Sequence, residues 1–432
     1  MVFAAFIFFV IGVVYGQQQI YLMFAAIVLL PVASYVVGWS ALRRLEVRRR
    51  LARQAAEGES IPVELLVTNT GRYGKLLFRV DDALPAWLES DDPGGNVVRL
   101  AAGDTERLCY RARALKRGVF AVGPATLWAS DPVALFDFRS QGAAASEVVV
   151  RPRPAVLSDL PLGGDPLFHG RRASRQRAED GVDFHSTREY HPGDDLRRIH
   201  WKSTARRDIF TVLEFERTYS GGVTVVLDLA PQAEVGAGQH TTLEYAIKAA
   251  AGIAQQVLSR GGAFGLVARG AVDRSLRVAG GMSQMGRVLD ALARVEADGT
   301  ESVAETLRAL AGRLGPGRCV VVLTPAVDRE TAAALGGLRR RGAVPTVVLL
   351  RADSFALAAA GRPEGEGKAD GALTPEAYRA YVGALRRNGV TVREVRCFDR
   401  EFRPPAAGRA AAGAAVRAVG GEEAAHGRAG VA

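Results

Sequence analysis

The 432-residue chain predicts a multi-domain fold: an N-terminal transmembrane helical hairpin, a β-sandwich, then an α/β domain of Rossmann-like layout. Three observations predict it. Two apolar runs without charge precede residue 43. From 59 to 150, short alternating segments are broken by turn residues. From 217 onward, continuously apolar segments alternate with helical ones. The length itself exceeds one ordinary core.

Residues 1–42 read as two transmembrane helices. Met1 to Gly16 holds no charge, and neither does Ile20 to Leu42. The second run is long enough for a hydrocarbon core, which takes about 20 helical residues, and the first is slightly short. The first run lacks the basic start and A-x-A site of a signal peptide, which favours a hairpin. A basic juxtamembrane segment, 43–58, follows. Its Arg43, Arg44, Arg48, Arg49 and Arg50 read as a topology anchor. The positive-inside bias then puts the chain in the cytoplasmic membrane as a multi-pass protein, with its bulk cytosolic and membrane lipid as one partner.

Residues 59–150 read as the β-sandwich. "IPVELLVTNTG", "GKLLFRVDD" and "RLCYRARAL" alternate and end in turn residues. Residues 151–180 read as an exposed linker rich in Pro, Gly and Arg. Its basic run has Phe168 as the aromatic neighbour, a poor match to nucleic-acid surfaces, so no nucleic acid is expected despite a net charge of +10. Cys109, Cys319 and Cys397 are widely spaced and sit in strand-like runs. They read as buried core thiols, with neither disulfide framework nor metal spacing.

The α/β domain spans 217–402. "GGVTVVLDLA", "RCVVVLTPA" and "VPTVVLLR" are core strands, and "AFGLVARG" with "SLRVAGG" is a hairpin-like pair. Helices are expected over 243–258, 285–295, 303–314, 329–341 and 375–388. Such a sheet is mostly parallel, and its default ligand site is the crevice at the carboxyl ends of its strands. P-loop, G-x-G-x-x-G, G-x-S-x-G and H-E-x-x-H motifs are absent from the sequence. Residues 403–432 read as a disordered tail rich in Ala, Gly and Arg.

Between linker and α/β domain, 181–216 forms a dense motif: "REYHPGDDLRRIHWKSTARRD". Pro192 and Gly193 make a turn, Asp194 or Asp195 caps a helix over 196–207, and "IFTVLEFER" follows as a strand. Acids and bases are balanced. Arg188, Arg197 and Arg206 can pair bidentately with carboxylates such as Glu189, Asp194 and Asp195. Together with Tyr190, Trp201 and Lys202 they read as an interdomain clamp or a partner-docking surface. The alternative is a hydrolase using His185, His191 or His200 with Ser186, Ser203 and Asp183, although the spacing matches no familiar triad or metal pattern. A basic lipid- or nucleic-acid-binding protein is a second alternative, against which the interleaved acids count.

"STREYHPGDDLRRIHWKSTARRDIFTVLEFE" resembles the signature of the family called domain of unknown function 58, and "RGVFAVGP…SDPVALFDF" resembles that family's preceding β region. The resemblance implies a bacterial or archaeal membrane-anchored protein with a von Willebrand factor A-like domain. It also implies a MoxR-type AAA+ ATPase and a transglutaminase-like membrane protein as partners. Metal-binding A-like domains carry D-x-S-x-S after the first strand, then a Thr and an Asp in later loops. Here that stretch reads Asp228-Leu229-Ala230-Pro231-Gln232, Thr300 falls at the second loop, and Pro325 follows Thr324 where an Asp is expected. Asp228 and Thr300 are then remnants of a degenerate site, and no Mg²⁺ or other cofactor is expected. The overall expectation is a non-enzymatic scaffold or adaptor that binds the ATPase in an envelope-related process.

Overall fold

The computed structural model describes residues 2–15, 17–131, 133–157, 160, 183–189, 199–207, 209–216, 222–315, 317–360 and 382–402. The tail 403–432 and most of the expected linker lie outside these residues.

Two apolar helices open the chain, α1 (Val2–Tyr15) and α2 (Gln18–Ala41). They fold back on each other, with the Phe9 and Phe24 rings 5.3 Å apart and Gly12 against Ile20 and Tyr21. Among the described residues, α2 alone is long and apolar enough to cross a membrane. The 14 residues of α1 rise only about 21 Å. The expectation of two full spans is therefore not supported.

Eleven strands build the sandwich: β1 (Leu45–Leu51), β2 (Gln54–Ala56), β3 (Ser60–Asn69), β4 (Lys75–Asp82), β5 (Leu88–Glu89), β6 (Gly94–Leu100), β7 (Thr105–Ala114), β8 (Gly118–Val122), β9 (Ala125–Ser130), β10 (Asp137–Gln141) and β11 (Ser146–Arg151). Strand order is β1-β3-β7-β5 in one sheet and β10-β9-β4-β6 in a second, with β2-β11-β8 as a smaller third. Alternation puts Ile61, Val63, Leu65 and Val67 of β3 inward, facing Phe78, Val80 and Leu127 in one apolar core.

The sandwich starts earlier than the sequence suggests. Residues 45–51 pair with Val63–Asn69 of β3 as an edge strand, so much of the basic segment is sheet. Arg48 and Arg50 point outward, whereas the Arg49 side chain is 1% exposed. Its Nε donates to Asp82 Oδ2 at 2.8 Å, a second nitrogen meets Oδ1, and Tyr110 Oη donates to the same carboxylate at 2.7 Å. Arg49 thus belongs to the core. Arg43 and Arg44 remain at the end of α2, Arg43 lying over the Trp39 ring at 4.1 Å.

The signature segment contributes β12 (Asp183–Glu189), α3 (Trp201–Arg207) and β13 (Thr211–Glu216). β12 and β13 pair antiparallel, with an irregularity between Phe184 and Ser186. β12 was not expected, and α3 is shorter than the helix read over 196–207.

Beyond it come β14 (Val223–Leu227), a two-residue ribbon β15 (Gly236–Ala237) and β16 (His240–Thr241), α4 (Thr242–Ser259), β17 (Ala263–Val267), β18 (Leu276–Gly280), α5 (Met282–Ala293), α6 (Val303–Ala311), β19 (Cys319–Thr324), α7 (Arg329–Arg340), β20 (Val344–Leu350), α8 (Ala352–Ala359) and β21 (Thr391–Val395). Six strands form one sheet in the order β18-β17-β14-β19-β20-β21. All neighbours run parallel except the β17–β18 edge pair. Both faces are covered, which is why β19 and β20 are apolar at consecutive positions. On one face α4, α5 and α8 pack around Phe264, Leu266, Leu323 and Phe355. On the other, α6 and α7 pack around Leu307, Leu335 and Val347.

Cys319 and Cys397 are buried as expected, whereas Cys109 on β7 is exposed.

Candidate functional site

The order of the sheet reverses between β14 and β19. Both connections leave their strands in opposite directions there, which opens a crevice at the carboxyl ends. Asp228 follows β14 and Thr324 ends β19. Thr324 Oγ1 lies 2.7 Å from Asp228 Oδ2 and 2.6 Å from the Ala326 carbonyl oxygen. Asp228 Oδ1 accepts the Ala230 N–H at 3.2 Å. Thr324 has one hydroxyl proton for these two acceptors, and its oxygen also accepts the Ala326 N–H at 3.3 Å. Burial pushes the Asp228 carboxyl above its ordinary value, and nearby Asp328 adds to this. The Thr324 and Ala230 bonds only partly oppose it.

Asp328 escaped the sequence reading, although an Asp just before "RETAAAL" is a helix-start signal. It caps α7, accepting the Thr331 N–H at 2.6 Å, and its carboxyl is held below the ordinary range by that residue. Thr300 is exposed on the adjoining loop, which is tied to Asp228's own loop by the Gly299 N–H to Leu229 oxygen bond of 2.8 Å. Asp228 and Thr324 are thus brought together. Their polar atoms turn on each other and on the main chain, rather than toward a common point where a hard cation could take oxygens.

Close beside this crevice the α/β unit is joined to the sandwich. A cleft of about 540 Å³ runs along the joint and is lined by Lys116, Arg117, Glu244, Arg274, Glu296 and Asp298 among others. Arg117, in the turn between β7 and β8, is only 7% exposed. Its Nη1 reaches the carbonyl oxygens of Leu292, Ala293 and Val295 at 3.2, 3.3 and 2.8 Å. The Leu292 and Ala293 carbonyls close α5 and have no partners within the helix, whose dipole is negative there, and Val295 follows just beyond it. The other nitrogen pairs with Glu244 Oε1 at 3.1 Å, in the first turn of α4. One guanidinium from the sandwich thereby joins two helices of the neighbouring unit.

Further contacts repeat the pattern. Arg151 at the end of β11 grips Asp290 of α5 bidentately, at 2.7 and 3.0 Å. Glu57 after β2 pairs with Lys248 of α4 at 2.6 Å, both largely buried. The first residues of the expected linker are not free. Ala155 donates to the Lys248 carbonyl, Leu157 enters the α/β core, and a Cβ at Gly252 would stand 1.8 Å from the Ala155 oxygen. α4 can approach this segment only because residue 252 has no side chain.

The sequence placed the interdomain clamp in the signature. Of those residues, Tyr190, Gly193, Asp194, Asp195 and Arg197 lie outside the described residues, as does His191. Arg188 and Glu189 lie on β12, opposite Val212 and Thr211, and His185 falls at its irregularity. Trp201, 65% exposed, opens α3 with Phe210 6.4 Å away, and Arg206 is exposed on the same helix, which also carries Lys202. His200 precedes α3 and is half-buried. Charge pairs between sandwich and α/β unit do exist, and those described include Arg117 and Lys116 with Glu244, Arg151 with Asp290, Lys248 with Glu57 and Arg294 with Glu147. In the sequence, nothing local marks "LKRGV" as part of a joint, because its partners lie over a hundred positions away.

Residues 186–372 match the family described as "Protein of unknown function DUF58". The match runs from within β12 to beyond α8. Curated proteins yielded no match. Among solved structures, the chain is similar to an Escherichia coli alpha-2-macroglobulin fragment at 21% identity and a TM-score of 0.22, over 25% of this chain and 16% of that one. It is also similar to a CARDB domain from Pyrococcus furiosus at 14% identity and a TM-score of 0.19, over 25% of this chain and 94% of that one.

Proposed function

We propose that the protein is a membrane-anchored, non-enzymatic scaffold. Helix α2 crosses the cytoplasmic membrane with α1 packed on it, and the sandwich carries a von Willebrand factor A-like domain into the cytosol. One observation carries this reading: Arg117, buried between the units, caps α5 and pairs with Glu244 of α4 at the same time. Removing either partner of such a buried pair is costly, so the units behave as one body. A single rigid arm suits a platform that holds a binding surface at fixed height and orientation. The strand order, with its antiparallel edge strand, supports the A-like reading, and the crevice at the β14–β19 switch point is its natural binding rim.

The partner proposed for that rim is a MoxR-type AAA+ ATPase, from the family context of the signature. The test is co-purification of the full-length protein in lipid nanodiscs with a purified ATPase of that class from the same cell, with and without ATP. Recovery in at least one nucleotide state is expected. Recovery in neither would remove the adaptor reading.

A further inference from the structure

The loop 131–136 joins β9 to β10 and is built around one carboxylate. Asp131 Oδ1 accepts the N–H groups of Leu135 and Phe136 at 2.7 and 2.5 Å, and Oδ2 accepts that of Val133 at 3.0 Å. The Ala134 N–H goes to the Asp131 carbonyl at 2.9 Å. Each N–H from 133 to 136 is therefore satisfied inside the loop, without help from water. The loop nonetheless shows its side chains to the outside: Val133, Leu135 and Phe136 are 45%, 41% and 37% exposed. Internally satisfied N–H groups with an apolar exterior suit contact with lipid rather than with water.

The loop is fixed to α2. Ser34 Oγ donates to Asp131 Oδ2, Gly38 lies against Asp131 and Phe138, and Tyr35 meets the Phe136 ring edge-on at 5.4 Å. These contacts set its depth. A hydrocarbon core takes about 20 helical residues, and counted from Ile20 that length runs to about Trp39. Ser34 to Gly38 then lie in the last turns of the core. Trp39, with Arg43 over its ring, takes the interfacial position where aromatic and basic residues gather.

Resting on the membrane-anchored reading above, we infer that the Val133–Phe136 loop inserts into the bilayer interface beside α2. The sandwich is thus seated on the membrane rather than held above it on a stalk. The occupant of this surface is the lipid bilayer.

The experiment uses the full-length Cys109→Ser protein in vesicles of phosphatidylethanolamine and phosphatidylglycerol. An environment-sensitive fluorophore is attached at Leu135→Cys, or separately at Val133→Cys. Leu29→Cys in mid-α2 and Arg111→Cys on β7 are controls. Lipids spin-labelled near the headgroup are expected to quench positions 133 and 135, those labelled near the chain end to quench 29, and neither to quench 111. Quenching at 29 with none at 133 and 135, where aqueous iodide quenches instead, overturns the seated loop and leaves the anchor standing. No lipid quenching at 29 overturns the membrane reading and this inference with it.

Discussion

Arg49 and Arg48 are neighbours with the same charge and opposite fates. Arg49 is sealed against Asp82 and Tyr110, whereas Arg48 is exposed and 3.8 Å from the exposed Glu46. Loss of one member of a buried pair strands the other charge, so Arg49→Ala should cost about 3–5 kcal/mol of unfolding free energy. Arg48→Ala should stay within about 0.5 kcal/mol. Denaturant unfolding of the detergent-solubilised protein measures both. At the switch point, burial raises the Asp228 carboxyl. The folded state then holds a proton that the unfolded state releases earlier, so this group's contribution falls as pH climbs from the ordinary carboxylate range through the raised value. Asp228→Asn keeps the acceptor for Ala230 and gives Thr324 a permanent donor. It should match or exceed the wild type in thermal stability at neutral pH and lose this pH dependence. Added Mg²⁺ should leave the melting temperature of the wild type unchanged.

At the scale of elements, the core strands are legible because composition and burial coincide. β14, β19 and β20 are apolar at consecutive positions and sit in the middle of a covered sheet, and β17 and β18 are the hairpin-like pair read in the sequence. β1 is not legible, because three consecutive arginines mask its alternation and only the distant Asp82 makes one of them tolerable inside. α8 is missed for a different reason: "ADSFALAA" is short, and Phe355 is its one large buried anchor. The approach of α4 to residues 154–156 hangs on one missing side chain. Gly252→Ala should force the two backbones apart and cost about 1–3 kcal/mol, read by the same unfolding experiment. Arg117→Met should split calorimetric unfolding into two transitions, because the open carbonyls of α5 would lose their partner and the buried Glu244 would keep only Lys116, at 3.4 Å.

Across the whole molecule, the layout from apolar helices to sandwich to α/β sheet is carried by local pattern, so it can be read along the chain. The joint is carried by pairs such as Arg117–Glu244 and Arg151–Asp290, separated by more than a hundred residues, and no local pattern announces them. The signature's charges are concentrated in one stretch of sequence. The joint's charges are scattered over both units and meet only on folding. The central claim is that these contacts make one rigid arm. Double electron–electron resonance tests it most directly, with spin labels at Arg107→Cys on β7 and Arg340→Cys on α7 in the Cys109→Ser protein in nanodiscs. Cys397 is buried, and burial holds the Cys319 thiol protonated, its pKa pushed up to about 11, so neither competes for label. One narrow distance distribution is predicted, broadening when Arg117→Met and Arg151→Ala are added. A broad distribution in the otherwise unaltered protein would contradict the account.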